Sequence, residues 1–283
     1  YLSGLIQQAQ GDHPAAIASF NQALQKAPNT VEPLTALVRS RVVTGETDLA
    51  MRELKGMLEA NPKHFVALNL VGELERRAKN VSAAKKAFEQ ASEVNPGWAI
   101  PHMNLASTYA QQGDTNKAIE ILRKAKDAAK GEGLLALELA KLYERAGEYD
   151  LAIAEYELIL SEAPNVHQAA NNLALLLVST EQDAAARARA VELASRFAKS
   201  NNPLYRDTLG WVQFSSGNIG EALAHLEFAA AATQNPEVQY HLGVVYKELG
   251  RSSEAKIQLE RALAVKTDFL GKQEAEEALR ELR

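Results

Sequence analysis

Pro28, Pro62 and Pro96 stand 34 residues apart, and Pro164 lies two further periods of 34 along the chain. Pro203 and Pro236 follow at intervals of 39 and 33. A fixed period of this length means that each repeat is one supersecondary unit stacking on near-copies of itself. Residues 102–130, HMNLASTYAQQGDTNKAIEILRKAKDAAK, show what that unit is. Leu105, Ala106 and Tyr109 recur at helical spacing, QQGD breaks the pattern, and Ala118, Leu122 and Ala125 resume it. Such a sequence describes two antiparallel helices around a tight turn. One hairpin cannot bury its apolar face alone, so the unit requires neighbours on both sides. The prolines agree with this frame: six fall at repeat boundaries, while Pro14, Pro33 and Pro101 sit near helix starts, where a missing N–H is harmless.

Composition narrows the field further. The chain has 283 residues, enough for two compact domains or one elongated array. It is 46% hydrophobic but only 6% aromatic. With abundant alanine, that mix suits closely packed helices better than a β-sandwich. A net charge of −5 argues against a general nucleic-acid or anionic-membrane partner. No cysteine is present, which excludes disulfides, thiolate metal sites and a cysteine nucleophile. The densest apolar run, NNLALLLV at 171–178, is too short to span a bilayer. The chain opens on YLSGLIQQAQGD, already in a helical pattern and without an initiating methionine. It is therefore expected to be part of a longer protein, with a signal peptide or lipid anchor left open.

On this period and hairpin pattern the chain resembles the tetratricopeptide repeat (TPR) family over nearly its whole length. That family places a small residue midway along the first helix, and Gly4, Gly72, Ala106, Ala140, Ala174, Gly210 and Gly243 stand there. Val38 is the exception. An alanine early in the second helix follows in all eight repeats: Ala16, Ala50, Ala84, Ala118, Ala152, Ala190, Ala222 and Ala255. The reason is close packing: the helices cross where small residues face each other, and an aromatic or leucine four positions on fills the wedge beyond. The turns carry Gly11-Asp12, Gly45-Glu46, Gly113-Asp114, Gly147-Glu148, Gly217-Asn218 and Gly250-Arg251. Glycine there can take the positive φ that ends a helix, and an acidic or amide residue suits the next helix start.

The resemblance implies an all-α, right-handed superhelical solenoid of eight antiparallel helix pairs. Its repeats are expected at 1–28, 29–62, 63–96, 97–130, 131–164, 165–202, 203–235 and 236–267. A C-terminal capping helix is expected at 268–283, where Ala275, Ala278, Leu279 and Leu282 form a narrow apolar stripe. Three departures stand out. Val38, with Met57 in place of a small residue, predicts a looser second hairpin. The sixth repeat has about five extra residues and no glycine turn. It predicts helices lengthened on both sides of a loop near 180–183. Lys130-Gly131-Glu132-Gly133 replaces a repeat-closing proline with a joint.

Catalytic patterns are missing: there is no GxGxxG, GxxxxGK[ST], HExxH or GxSxG. His13, His64, His102, His167, His225 and His241 include no pair at i, i+4 spacing. Neighbouring carboxylates such as Glu73 with Glu75 read as solvated helix faces. The chain is therefore expected to be no enzyme and to need no cofactor or metal.

The resemblance instead implies that first helices line a concave groove holding a protein or peptide partner. The candidate groove residues are Arg39, Asn69, Arg76, Met103, Asn104, Ser107, Lys141, Asn171, Asn172, Asp207, Trp211, Phe214 and Tyr240. Asn69, Asn104, Asn171 and Asn172 fall at or beside positions where related arrays hold peptide main chain, since an amide can donate and accept together. Trp211, Phe214 and Tyr240 form a candidate aromatic anchor. The clamp that some TPR domains use for acidic carboxy-terminal tails does not fit, because beside Asn69 the acidic Glu73 and Glu138 stand where it wants basic or amide partners.

Residues 201–230 are similar to TPR stretches of bacterial envelope proteins that accompany exopolysaccharide production and protein sorting. That similarity favours periplasm or cell envelope slightly over cytoplasm. No nucleic-acid partner and no direct membrane insertion of residues 1–283 are expected, while homo-oligomers remain open. The alternatives are a structural or self-associating spacer, or the recruiting arm of a larger enzyme.

Overall fold

A computed structural model describes residues 1–28, 30–129, 133–180, 183–265 and 268–282. It divides into two compact units, 1–148 and 149–283. Among the described residues all regular structure is helical.

The first unit holds α1 (Leu2–Ala9), α2 (His13–Lys26), α3 (Val31–Val43), α4 (Thr47–Ala60), α5 (Phe65–Arg77), α6 (Val81–Val94), α7 (Ala99–Gln111), α8 (Thr115–Ala129) and α9 (Gly133–Ala146). Each helix packs on the next, and α3, α5, α7 and α9 also pack successively on one another. The second unit holds α10 (Tyr149–Glu162), α11 (His167–Thr180), α12 (Ala184–Ser195), α13 (Pro203–Ser215), α14 (Ile219–Ala232), α15 (Pro236–Glu248), α16 (Ser252–Leu263) and α17 (Lys272–Glu281). There α11, α13, α15 and α17 form the same kind of row. Within each unit, then, the first helices of successive pairs make one shared face. The capping helix takes the place of one more first helix: it buries Ala275, Ala278 and Leu279 against Tyr240, Leu259 and Ala262.

The small residues are needed for a slightly different reason than the helix crossing alone suggests. A Cβ on Gly4 or Gly72 would lie 2.5 Å from the ring of Phe20 or Phe88. On Gly210 and Gly243 it would lie 2.6 and 2.8 Å from Leu226 and Leu259. Each of these is the large residue four positions after the conserved-spacing alanine of the second helix, so the large side chain fills the glycine's space directly. At Gly210 the Ala222 carbonyl oxygen is also only 3.0 Å away, so there the backbones themselves approach closely.

The turn glycines Gly11, Gly45, Gly113, Gly147, Gly217 and Gly250 all have φ between 70 and 86°. At the third pair a lysine, Lys79, takes the same role with φ 64°. Asp12 and Asp114 then accept hydrogen bonds from Ala15 N and Lys117 N at 3.1 Å each, capping the following helix. Glu46, Asn218 and Arg251 stand at the same place without a side-chain cap bond.

The second pair is looser, as Val38 and Met57 suggest: α3 and α4 pack less closely than α5 and α6. The sixth repeat departs from expectation. Its second helix, α12, has 12 residues and is shorter than the 14 of α14. The extra length lies instead in 196–202, a run of turns carrying Phe197 N→Ala194 O and Ser200 N→Phe197 O bonds. This segment adds to the core, because the buried Phe197 ring stacks on Tyr205 at 4.6 Å and 20°. A large apolar side chain in the connection thus competes successfully with helix extension. The 130–132 part of the expected joint and 181–182 of the expected loop lie outside the described residues.

Candidate interaction face

The thirteen candidate residues fall on first helices, and the structure links several of them across successive pairs. In the first unit Arg39 is exposed on α3. Asn69 on α5 is only 2% exposed. Its Nδ2 donates to Glu73 Oε1 at 2.9 Å, while its Oδ1 accepts from Asn104 Nδ2 on α7 at 3.0 Å. Asn104 Nδ2 also reaches Glu73 Oε1 at 3.4 Å. Asn69 is thereby committed to holding Asn104, and the half-buried Asn104 is the member of the pair that reaches solvent. Met103 is half-buried and Ser107 exposed beside it. Arg76 is half-buried, with its Nε shielded and unbonded. Lys141 on α9 pairs with Glu138 at 2.7 Å.

The second unit repeats the pattern with different chemistry. Asn171 Nδ2 donates to Asn172 Oδ1 at 3.2 Å, and Asn172 Nδ2 donates to Tyr156 Oη at 3.0 Å. Thr208 Oγ1 on α13 donates to Asn171 Oδ1 at 2.7 Å. Next along, Asp207 on α13 is 5% exposed and its carboxylate oxygens lie 3.0 and 2.9 Å from His241 Nδ1 on α15. The Trp211 indole stacks flat on that imidazole at 4.1 Å and 15°. Phe214 and Tyr240 flank the indole at 5.3 and 5.9 Å, and Phe269 lies 6.5 Å from Tyr240. Tyr240 is buried, and burial, with Glu274 adding to it, pushes its phenol up to about 12. Trp211, Phe214 and Tyr240 therefore do meet, as expected, but Tyr240 and Asp207 act from beneath. Trp211 and Phe214 present the accessible, half-buried surface.

His241, Thr208 and Phe269 belong to this arrangement and carry no catalytic signature. For His241 the signal is the period itself: Asp207 and His241 are 34 residues apart, as Asn69 and Asn104 are 35 apart. Residues one period apart on first helices become neighbours. Among the described residues the His241 imidazole bonds no hydroxyl, and no group of three His, Asp or Glu could hold a metal. Among the described residues no helix is long and apolar enough to cross a membrane. The face of the first unit offers amides, a thioether and a hydroxyl, and that of the second amides, a hydroxyl and an indole, which suit contact with another polypeptide.

Sequence profiles of the tetratricopeptide repeat match residues 7–74, 109–177 and 213–271, and a second such profile matches 72–132. The chain belongs to the tetratricopeptide repeat family. Its fold is accordingly the all-α helix-pair solenoid of TPR proteins. It is similar to anaphase-promoting complex subunit 7 of Arabidopsis thaliana, 26% identical over 171 residues, covering 60% of this chain and 30% of the relative. It is also similar to subunit CDC16 of that complex from Saccharomyces cerevisiae, 22% identical over 218 residues, covering 74% and 26%. The chain thus spans under a third of the length of these curated relatives. Among solved structures, the APC/C hetero-tetramer Cut9–Hcn1 aligns with a TM-score of 0.68 at 17% identity, covering 95% of this chain and 52% of that one. A TPR protein from Parabacteroides merdae aligns at 0.63 and 18%, covering 89% and 98%. Both show the fold.

Proposed function

We propose that this TPR chain is a non-catalytic scaffold that holds a protein or peptide partner on its first-helix faces. The observation that carries the reading is the row of first helices in each unit, linked by side chains one period apart, with Asn104 in one unit and Trp211–Phe214 in the other left accessible. Asn104 would meet partner main chain, and the indole, fixed from below by His241, would meet an apolar side chain. Rigid aromatic anchors of this kind dominate many interfaces. The similarity to subunits of a multiprotein assembly supports a scaffold role. A bacterial cell-envelope assembly as the setting rests on residues 201–230 alone, and fractionation of the source cells tests it.

The test is Trp211→Ala, with affinity for the partner compared at equal folded fraction because the indole also covers His241. Affinity should fall far more than the melting temperature does; equal affinity on an intact fold would refute the reading.

A further inference from the structure

Residues 76–86, RRAKNVSAAKK, carry five cations and no acid. The net charge of −5 is therefore the balance of +5 in this segment against −10 elsewhere. Arg76 and Arg77 end α5, Lys79 forms the turn, and Lys85 and Lys86 lie near the start of α6, so the tight hairpin gathers all five at one edge of the third helix pair. Arg77, Lys79 and Lys86 are exposed. Among the described residues none of the five forms an ion pair, whereas Arg41 binds Glu46 and Glu53, Arg189 binds Glu157 and Glu192, and Glu120 binds Lys117 and Lys124. The nearby acids are engaged by amides instead: Glu73 by Asn69 and Asn104, and Glu75 by Asn80 Nδ2 at 2.8 Å.

Lys79 supplies an independent observation. It holds φ 64° at a turn where six equivalent positions carry glycine, so a long cationic side chain stands where glycine would fit without strain. Strain held at one turn among equivalent turns points to a use for the side chain.

We propose that this edge of the third helix pair docks an acidic, extended segment of a partner protein. Nucleic acid suits it less well. The Tyr109 ring beside the patch is already covered by Lys85 Nζ at 4.2 Å from its centroid, which leaves no free stacking platform. A long polyanion would also have to cross the −10 carried by the rest of the chain, whereas a short acidic segment can stay within the patch. The site lies on the turn edge and does not depend on the first-helix reading.

The test is fluorescence anisotropy with a short labelled peptide rich in Asp and Glu, its Asn/Gln counterpart, and an oligouridylate, all compared first at about 0.1 M salt, where the Debye length is about 10 Å. The acidic peptide should bind, weaken with added salt, and lose at least about tenfold in affinity on Arg77→Glu with Lys86→Glu. The control pair Lys55→Glu with Lys63→Glu should change affinity by less than about twofold, since exposed charges beyond a Debye length are screened. Lys79→Gly should melt higher than the parent yet bind the peptide more weakly, which separates the charge from the fold. Binding unchanged in Arg77→Glu with Lys86→Glu, equal loss in the control pair, or tighter binding of the oligouridylate would each overturn the proposal.

Discussion

Gly72 is the position at which the packing argument can be made to fail most cleanly. An alanine Cβ there would lie 2.5 and 2.6 Å from two atoms of the fully buried Phe88 ring, where ordinary contact begins at 3.4 Å. The ring must move by nearly an ångström in a filled core, an overpacking cost of about 1–3 kcal/mol. Against this, Gly→Ala in a helix interior returns about 1 kcal/mol through propensity. Gly72→Ala should therefore be destabilising by about 0–2 kcal/mol. Gly56, inside α4 with nothing within 4 Å of its would-be Cβ, isolates the propensity gain. Gly56→Ala should stabilise by about 0.5–1 kcal/mol.

The difference between the two variants reads the packing cost alone. Replacing Phe88 by leucine in the Gly72→Ala background recreates the Ala106–Leu122 combination of the fourth pair. It should recover at least about 1 kcal/mol relative to the sum of the single changes. The chain has two tryptophans, Trp98 in the first unit and Trp211 in the second. In a Trp211→Phe background, urea titration of Trp98 emission follows the first unit by itself. If Gly72→Ala stabilised as much as Gly56→Ala, or the double variant were additive, the ring-on-glycine account would be refuted.

Three further outcomes follow from the geometry. Asp207→Ala leaves the buried His241 Nδ1 without its partner and should cost about 1–3 kcal/mol, with a change in near-ultraviolet circular dichroism from the stacked Trp211; an unchanged urea midpoint would show that the pair carries no stability. Tyr240 and Tyr246 are both held up to about 12 in the fold against 10.0 when exposed, so the folded chain keeps protons that the unfolded chain loses between these values. Stability is then full below pH 10 and falls as pH rises toward 12, and Tyr240→Phe should flatten part of that alkaline loss in pH-dependent melts. Lys79→Gly removes a left-handed strain of about 1–2 kcal/mol at the price of a more flexible unfolded chain costing about 0.5–1 kcal/mol, for a net gain of up to about 1.5 kcal/mol in urea.

The sequence made the repeat frame legible because one set of packing demands recurs every 34 residues or so. Helix pairs, glycine turns and the capping helix all follow from spacing. Details that depend on one side chain meeting another were less legible. Nothing in the pattern says that the space left at Gly72 belongs to Phe88 rather than to Ala84. Phe197 turns what reads as helix extension into a packed connection, since core volume outweighs helix continuity there. Asn69 looked like a ligand-facing amide because its position matched, yet its neighbour one period on, Asn104, draws it into the stack. Gly271 falls within the stretch expected as the capping helix, but its φ of 87° places it just before α17, with no room for a Cβ against the Tyr240 ring of the aromatic cluster. Looking one period along the chain finds the Asn69–Asn104 contact, while Gly72–Phe88 and Phe197–Tyr205 lie 16 and 8 residues apart and need the packing itself.

The most direct test of the scaffold reading is affinity purification of the tagged protein from its native source. Three forms are compared at matched folded fraction: the parent, Asn104→Ala with Ser107→Ala, and Trp211→Ala. A partner retained by the parent and lost from both first-helix variants is the expected result. A partner recovered in equal yield from all three forms would place binding elsewhere and contradict the central claim.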